Sequence, residues 1–151
     1  MYQRSLMIFR RDLRLQDNSA LIKALQNSEQ VIFVFCLDEN LIKPERVFAN
    51  SFLLASLRLL KQSLAEYGAT LQCVYGKPCE TLPAVIKQCA VDAVFFNRDY
   101  SPYAKKRDQT LSERCVDLGV SVHEEADLLL QEPGSVLKGD GLPLHRIYAL
   151  L

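Results

Sequence analysis

Ile8-Phe9-Arg10-Arg11-Asp12-Leu13-Arg14-Leu15-Gln16-Asp17-Asn18-Ser19-Ala20-Leu21 is the stretch whose reading decides the fold. It opens in an apolar run, Leu6 to Phe9, that reads as a buried first strand. A loop with three arginines and an aspartate follows. Asp17 or Asn18 then caps a helix beginning at about Ala20, because a short side-chain oxygen satisfies the unpaired N–H groups of a first turn. The most charged short segment of the chain thus lies just beyond the carboxyl end of a strand. That is where α/β domains hold their ligands.

Outward from this stretch, short apolar runs alternate with helical periodicity. The first helix extends from about Asp17 to Asn27, with Leu21, Ala24 and Leu25 on one face. Val31 to Leu37 is continuously apolar, as a central parallel strand covered on both faces must be. Asp38 to Phe48 is a polar connection. Asn50 or Ser51 is expected to cap the strongest helix, in which Leu53, Leu57, Leu60 and Leu64 recur at helical spacing and Gly68 supplies a left-handed stop. Leu71 to Tyr75 and Val91 to Phe96 read as strands three and four, flanking a helix with Leu82, Val85, Ile86 and Cys89. Pro102 suits the first turn of a last helix carrying Leu111, Cys115 and Leu118 and closed by Gly119. Val120-Ser121-Val122 makes a short fifth strand.

This alternation predicts a three-layer α/β/α domain, a doubly wound five-stranded parallel sheet of order 3-2-1-4-5, as in Rossmann-like and flavodoxin-like folds. The domain is expected over residues 1–125. From 126 to 151 the periodicity fades into a tail.

The 151 residues fit one domain, and 49% apolar with 24% charged residues is an ordinary globular balance. Zero formal net charge excludes a global attraction to nucleic acid or anionic membrane. Locally the charge is uneven. Arg4, Arg10, Arg11 and Arg14 crowd the front, Arg98, Lys105, Lys106 and Arg107 form a second basic group, and the last third is acidic. The five cysteines form no C-x-x-C pair, and three lie in apolar patterns, so buried reduced thiols are expected. With only His123 and His145, neither a zinc site nor a catalytic triad is expected. No apolar run approaches 18 residues and no leader pattern is present, so a cytoplasmic protein without membrane contact is expected.

Strands one and four become neighbours in the predicted order, and the loops after them, Arg10 to Arg14 and Arg98 to Lys106, are the two basic ones. They predict a net basic crevice for a planar or anionic ligand. No glycine-rich phosphate loop follows strand one, which argues against conventional dinucleotide or ATP binding. A purely structural use of the same charges has Arg11, Asp12, Arg14, Asp17 and Asp99 pairing with one another. Tyr103 is placed either to stack on a planar ligand or to pack its helix.

Phe9-Arg10-Arg11-Asp12-Leu13-Arg14-Leu15-Gln16-Asp17-Asn18-Ser19-Ala20-Leu21 also resembles the opening motif of the DNA photolyase/cryptochrome family. Phe35-Cys36-Leu37-Asp38, Phe52-Leu53 to Leu57-Arg58-Leu59-Leu60, and Asn97-Arg98-Asp99-Tyr100-Ser101-Pro102-Tyr103 resemble it in the same order. The resemblance covers nearly the whole chain but only the family's amino-terminal domain. It implies an α/β domain that holds a light-harvesting antenna chromophore, next to a carboxyl-terminal helical domain that binds FAD and damaged DNA and splits cyclobutane pyrimidine dimers by light-driven electron transfer. By similarity to members with a deazaflavin antenna, Arg11, the backbone of Phe35, Cys36 and Leu37, and Asp99 fall on chromophore-contacting positions.

Two departures bear on the antenna. Folate-binding members carry Asn-Glu where this chain has Tyr103-Ala104, which makes folate the less expected antenna. Arginines that often precede the Phe-Leu of the long helix are replaced by Ala49-Asn50-Ser51, which removes a charged contact. Gly139-Asp140-Gly141-Leu142-Pro143 resembles the approach to the helical domain, and the chain stops at Leu151. The resemblance therefore implies no catalytic residue here, no DNA repair by this chain alone, and one exposed apolar face where the helical domain docks unless the tail or a second copy covers it. The competing readings are a cryptochrome-type photoreceptor fragment, a small nucleotide-binding or stress-type α/β protein, and a self-associating remnant without ligand.

Overall fold

The computed structural model describes residues 1–127. The elements, in order, are β1 (Tyr2–Phe9), α1 (Ser19–Asn27), β2 (Ser28–Asp38), α2 (Val47–Glu66), β3 (Leu71–Gly76), α3 (Pro78–Gln88), β4 (Ala93–Asn97), α4 (Pro102–Asp117) and β5 (Ser121–Glu125). All neighbouring strands are parallel, in the order β3-β2-β1-β4-β5. The expected doubly wound sheet is the observed one. The glycine-proline segment at 139–143 lies outside the described residues.

Alternate side chains of a strand face opposite sides of the sheet, so each central strand feeds two cores. Met7 and Phe9 of β1 join Phe33 and Phe35 of β2 beneath α1 and α2, where Ala24, Leu57, Leu60 and Leu64 pack. Leu6 and Ile8 join Val34, Val94 and Phe96 on the other side, against Leu82 and Ile86 of α3 and Leu111 and Cys115 of α4. This is why strands one, two and four read as unbroken apolar runs. Gly68 and Gly119, both at φ +71°, end α2 and α4 in the left-handed conformation that a side chain disfavours.

Two expectations are corrected. Helix α2 begins at Val47, not near Ser51, and its N-cap residue Arg46 makes no side-chain capping bond. Asn50 lies within the helix, and its Nδ2 donates to the Lys43 carbonyl at 2.9 Å instead of capping. Nothing in Val47-Phe48-Ala49 breaks a helix, so the helix extends back over them. The thiols are all free, but only Cys115 is fully buried and Cys73 is exposed, because it lies on β3, an edge strand of the sheet.

The loop between β1 and α1 is held by a buried polar knot. Asp12, Asn18 and Asn97 are each at most 2% exposed. Asp12 Oδ1 accepts the Arg10 amide at 2.8 Å, and Oδ2 accepts Asn97 Nδ2 at 2.6 Å and Asn18 Nδ2 at 3.0 Å. Asn18 Oδ1 caps α1 by accepting the Leu21 amide, and Asn97 Oδ1 accepts the Ala20 amide. Every polar atom so buried needs such partners. Asp127, two residues beyond the expected domain limit, joins from the other end: its Oδ1 accepts the Ser19 amide and hydroxyl, each at 2.9 Å, and its Oδ2 accepts Arg14 Nη2 at 2.6 Å.

Replacing Asn97 with alanine strips a donor from a buried carboxylate and an acceptor from α1. The expected loss is about 2–4 kcal/mol, read as a lower urea midpoint with unchanged slope. Burial alone raises the pKa of Asp127, but the Ser19 hydrogen bonds and Arg14 outweigh it and hold the group below 3.8. A depressed folded-state pKa contributes stability that is complete above the unfolded value and lost as pH falls below it. Urea unfolding across the acid range should therefore show Asp127→Asn converging on the wild type as pH drops below 3.8.

Candidate functional site

Strands β1 and β4 lie side by side, and the connections leaving them run to opposite faces of the sheet. A crevice opens at such a reversal. Pairing of β1 with β2 ends at Phe9↔Phe35, whereas β2 runs on beside β3 to Asp38↔Gly76. Past Phe35, the edge of β2 facing β1 is therefore uncovered. A pocket of ≈ 470 Å³ occupies this place, with Ile8, Phe9, Phe35, Leu53 and Leu82 supplying apolar walls. Its charged lining is four arginines (10, 11, 46 and 107) and two aspartates (38 and 99), so it has the expected basic excess.

Of the residues singled out from the sequence, Arg11, Phe35, Cys36, Asp99 and Tyr103 line this one pocket, and Leu37 does not. Leu37 packs against the core beneath α1 and α2. Arg11 is exposed and forms no ion pair among the described residues. Asp99 Oδ1 accepts the Ser101 amide at 3.1 Å. The Cys36 thiol lies 3.4 Å from Thr81 Oγ1, and burial raises its pKa. The structural pairing scheme is not the observed one: Asp12 binds asparagines, while Arg14 donates to the Asp17 carbonyl and pairs with Asp127. Arg46, the residue just before α2, also lines the pocket.

Sequence reasoning missed the ionic cluster beside this pocket. Asp108, on α4, pairs with Arg10 Nη1 at 2.6 Å and with Arg107 Nε at 2.8 Å, and all three side chains are at most 10% exposed. Two guanidiniums share the Asp108 carboxylate, and the buried carboxylate of Asp12 adds its field at Arg10. Burial and then Arg107 lower the pKa of Arg10 to about 10 despite Asp108. The Arg10 guanidinium also lies 3.9 Å from the Phe96 ring centroid, a cation–π contact. Arg107 Nη2 is buried with no hydrogen-bond partner among the described residues.

A second cluster was half visible. Tyr103 donates to Asp38 Oδ2 at 2.5 Å, and Asn40 reaches both, its Nδ2 lying 3.2 Å from Asp38 Oδ1 and 3.2 Å from the phenol oxygen. Asp38 is buried, while Tyr103 is 39% exposed. Burial and then the bond to Asp38 raise the Tyr103 pKa. Tyr103 is singled out from the sequence as an aromatic beside the crevice, but nothing local marks Asp38 as its partner.

A wider groove of ≈ 750 Å³ runs along α4 and β5 and shares only Asp99 with the pocket. Its charges are of both signs, Arg98 and Lys105 against Asp99, Asp108, Glu113, Asp117 and Glu124, and its lining is more open to solvent. The more enclosed crevice at the strand ends is the better ligand site.

Fold and site together define an α/β domain with a basic, apolar-walled ligand crevice at its switch point. The family model for DNA photolyase matches residues 5–149, and the chain belongs to that family. It is similar to the deoxyribodipyrimidine photo-lyase of Synechococcus sp., 34% identical over 89% of this chain and 28% of that protein. A 31.6 kDa protein encoded in the atpI 5′ region of another Synechococcus strain is 37% identical over 94% of this chain and 51% of its own length. Cryptochromes are also among its relatives. The archaeal photolyase of Sulfolobus tokodaii superposes with a TM-score of 0.83 at 34% identity, covering 90% of this chain and 32% of that one. The chain thus corresponds to the amino-terminal α/β domain of photolyases and spans about half or less of the relatives it matches.

Asp108 is the only carboxylate within pairing distance of the two buried arginines among the described residues. Asp108→Asn should destabilise the domain by roughly 3–5 kcal/mol, the cost of uncompensated buried charge, seen as a fall in the thermal midpoint.

Proposed function

We propose that the pocket holds a planar antenna chromophore of the deazaflavin type, in a protein whose FAD-binding helical domain repairs cyclobutane pyrimidine dimers in DNA. The observation that carries this reading is the convergence of Arg11, Phe35, Cys36, Asp99 and Tyr103 on one crevice. A fused ring system needs flat apolar walls and a polar edge, and Phe9, Phe35, Leu53 and Leu82 stand beside Arg11, Asp38 and Asp99. The ring's amide-like edge presents both donors and acceptors, and carboxylates and guanidiniums answer each.

When bound, such a group absorbs light and passes the excitation to a second chromophore. This chain's residues bind it, orient it and exclude water. The Sulfolobus tokodaii photolyase, described with two FAD molecules and a novel light-harvesting cofactor, supports a flavin-like ring in a relative. Folate is the less favoured occupant, because Tyr103-Ala104 stands where folate binders carry Asn-Glu. The partner in this reading is the helical domain. Exposed Phe48, Phe52 and Leu59, at 92%, 76% and 65%, give α2 an uncovered apolar face of the kind that domain needs. No described helix is long and apolar enough to cross a membrane.

Titration of the purified chain with 5-deazariboflavin, followed by absorption and fluorescence, tests the proposal. Saturable binding is expected, weakened roughly tenfold by Arg11→Ala or Asp99→Ala through loss of one charged hydrogen bond. A protein that leaves the spectrum unchanged at all concentrations overturns it.

A further inference from the structure

The two edges of the sheet are finished differently. The strand at one edge, β5, carries the carboxylates of Glu124 and Glu125, and a charged edge resists the approach of a further strand. At the other edge, β3 pairs with β2 alone among the described strands. Its stretch Ala69-Thr70-Leu71-Gln72-Cys73-Val74-Tyr75-Gly76 holds neither a charged residue nor a proline. Gln72, Cys73 and Tyr75 are exposed, and beyond β2 no described residue makes a backbone–backbone hydrogen bond to 71–75. Such an open row of N–H and C=O groups is a template for another strand.

The charges near this edge leave it accessible. Burial raises the Cys73 pKa, and the field of Lys61 on α2 opposes that rise. Lys61 is itself exposed, so its ammonium stays in solvent. Lys77, just past the strand, lies between Glu80 at 3.6 Å and Glu39 at 3.9 Å.

The strand also complements itself. Side chains alternate across a sheet, so Leu71, Cys73 and Tyr75 share one face, with Gln72 and Val74 on the other. Antiparallel pairing about a twofold axis at Cys73 sets Leu71 of each copy opposite Tyr75 of the other. Cys73 then meets Cys73, and Gln72 meets Val74. An aliphatic–aromatic pair across two strands is stabilising, and no like charges meet within the strand. The edge carries no charge that would select a foreign partner, whereas its own sequence fits it.

We infer that the chain associates with a second copy of itself through β3, edge to edge and antiparallel about Cys73, to form one continuous sheet. The carboxyl ends of the strands point in opposite directions in the two copies. The two ligand crevices therefore lie at opposite ends of the joined sheet, and neither is blocked by the contact.

Sedimentation of the intact chain over a range of concentrations, with thiols reduced, tests the association, and diamide tests its register. Opposite Cα atoms of an antiparallel pair lie about 4.5–5.5 Å apart, inside the roughly 4.4–6.8 Å that a disulfide spans. The two Cys73 thiols should therefore join, giving their two protons and two electrons to diamide. A concentration-dependent dimer is expected, with a cross-link on non-reducing gels that Cys73→Ser removes while the sedimenting dimer remains. Cys73→Lys sets two ammonium groups opposite each other and should weaken association by roughly tenfold or more. Tyr75→Lys, at a second exposed position, should weaken it as well, and circular dichroism checks that each variant is folded. A chain that stays monomeric at every concentration overturns the inference. A dimer indifferent to both lysine variants uses another surface, such as the apolar face of α2, and overturns it too. So does a dimer that diamide fails to cross-link, or one whose cross-link survives Cys73→Ser.

Discussion

The buried carboxylate of Asp12 is the constraint from which the rest of the site follows. It sits 1% exposed at the end of β1, and it is tolerated there because two asparagines and a backbone amide surround it with donors. Those donors come from the loop itself, from the start of α1 and from the end of β4. One side chain thus ties together the three segments that border the switch point. With Asp12 turned inward, the adjacent arginines serve different purposes. Arg10 is buried against Phe96 and Asp108, and Arg11 remains exposed at the pocket.

The arginine–aspartate cluster answers to a different demand. A buried ion pair is at best a weak contributor to stability, and an unmatched guanidinium beside it is a cost. The domain nonetheless buries Arg10 and Arg107 on a single carboxylate and leaves Arg107 Nη2 unsatisfied. Stability alone selects against that arrangement.

Helix α2 shows the same divergence between folding and use. One face, with Leu57, Leu60 and Leu64, completes the core. Its other side exposes Phe48, Phe52 and Leu59, which contribute nothing to this domain in isolation. Its N-terminal end also borders the pocket, through the capping residue Arg46 and through Leu53. A domain seated on α2 would therefore stand beside the pocket.

The sequence by itself determined the layers and the order of the strands. Continuous apolar runs can only be strands covered on both faces, and leucines at helical spacing with a glycine stop can only close over them. The family resemblance pointed to Arg11, Phe35, Cys36, Leu37 and Asp99, and the aromatic reading to Tyr103; all but Leu37 line one pocket. Tertiary structure alone decided which charges are buried and with whom. Asp12 with Asn97, Arg10 with Asp108 and Asp38 with Tyr103 are joined across 85, 98 and 65 residues. Such pairs leave no periodic trace, because hydrogen bonding depends on distances set by packing and not on spacing along the chain. The early start of α2 and the exposure of Cys73 escaped for a related reason: a helix runs until something stops it, and an edge strand is covered only as far as its neighbours reach.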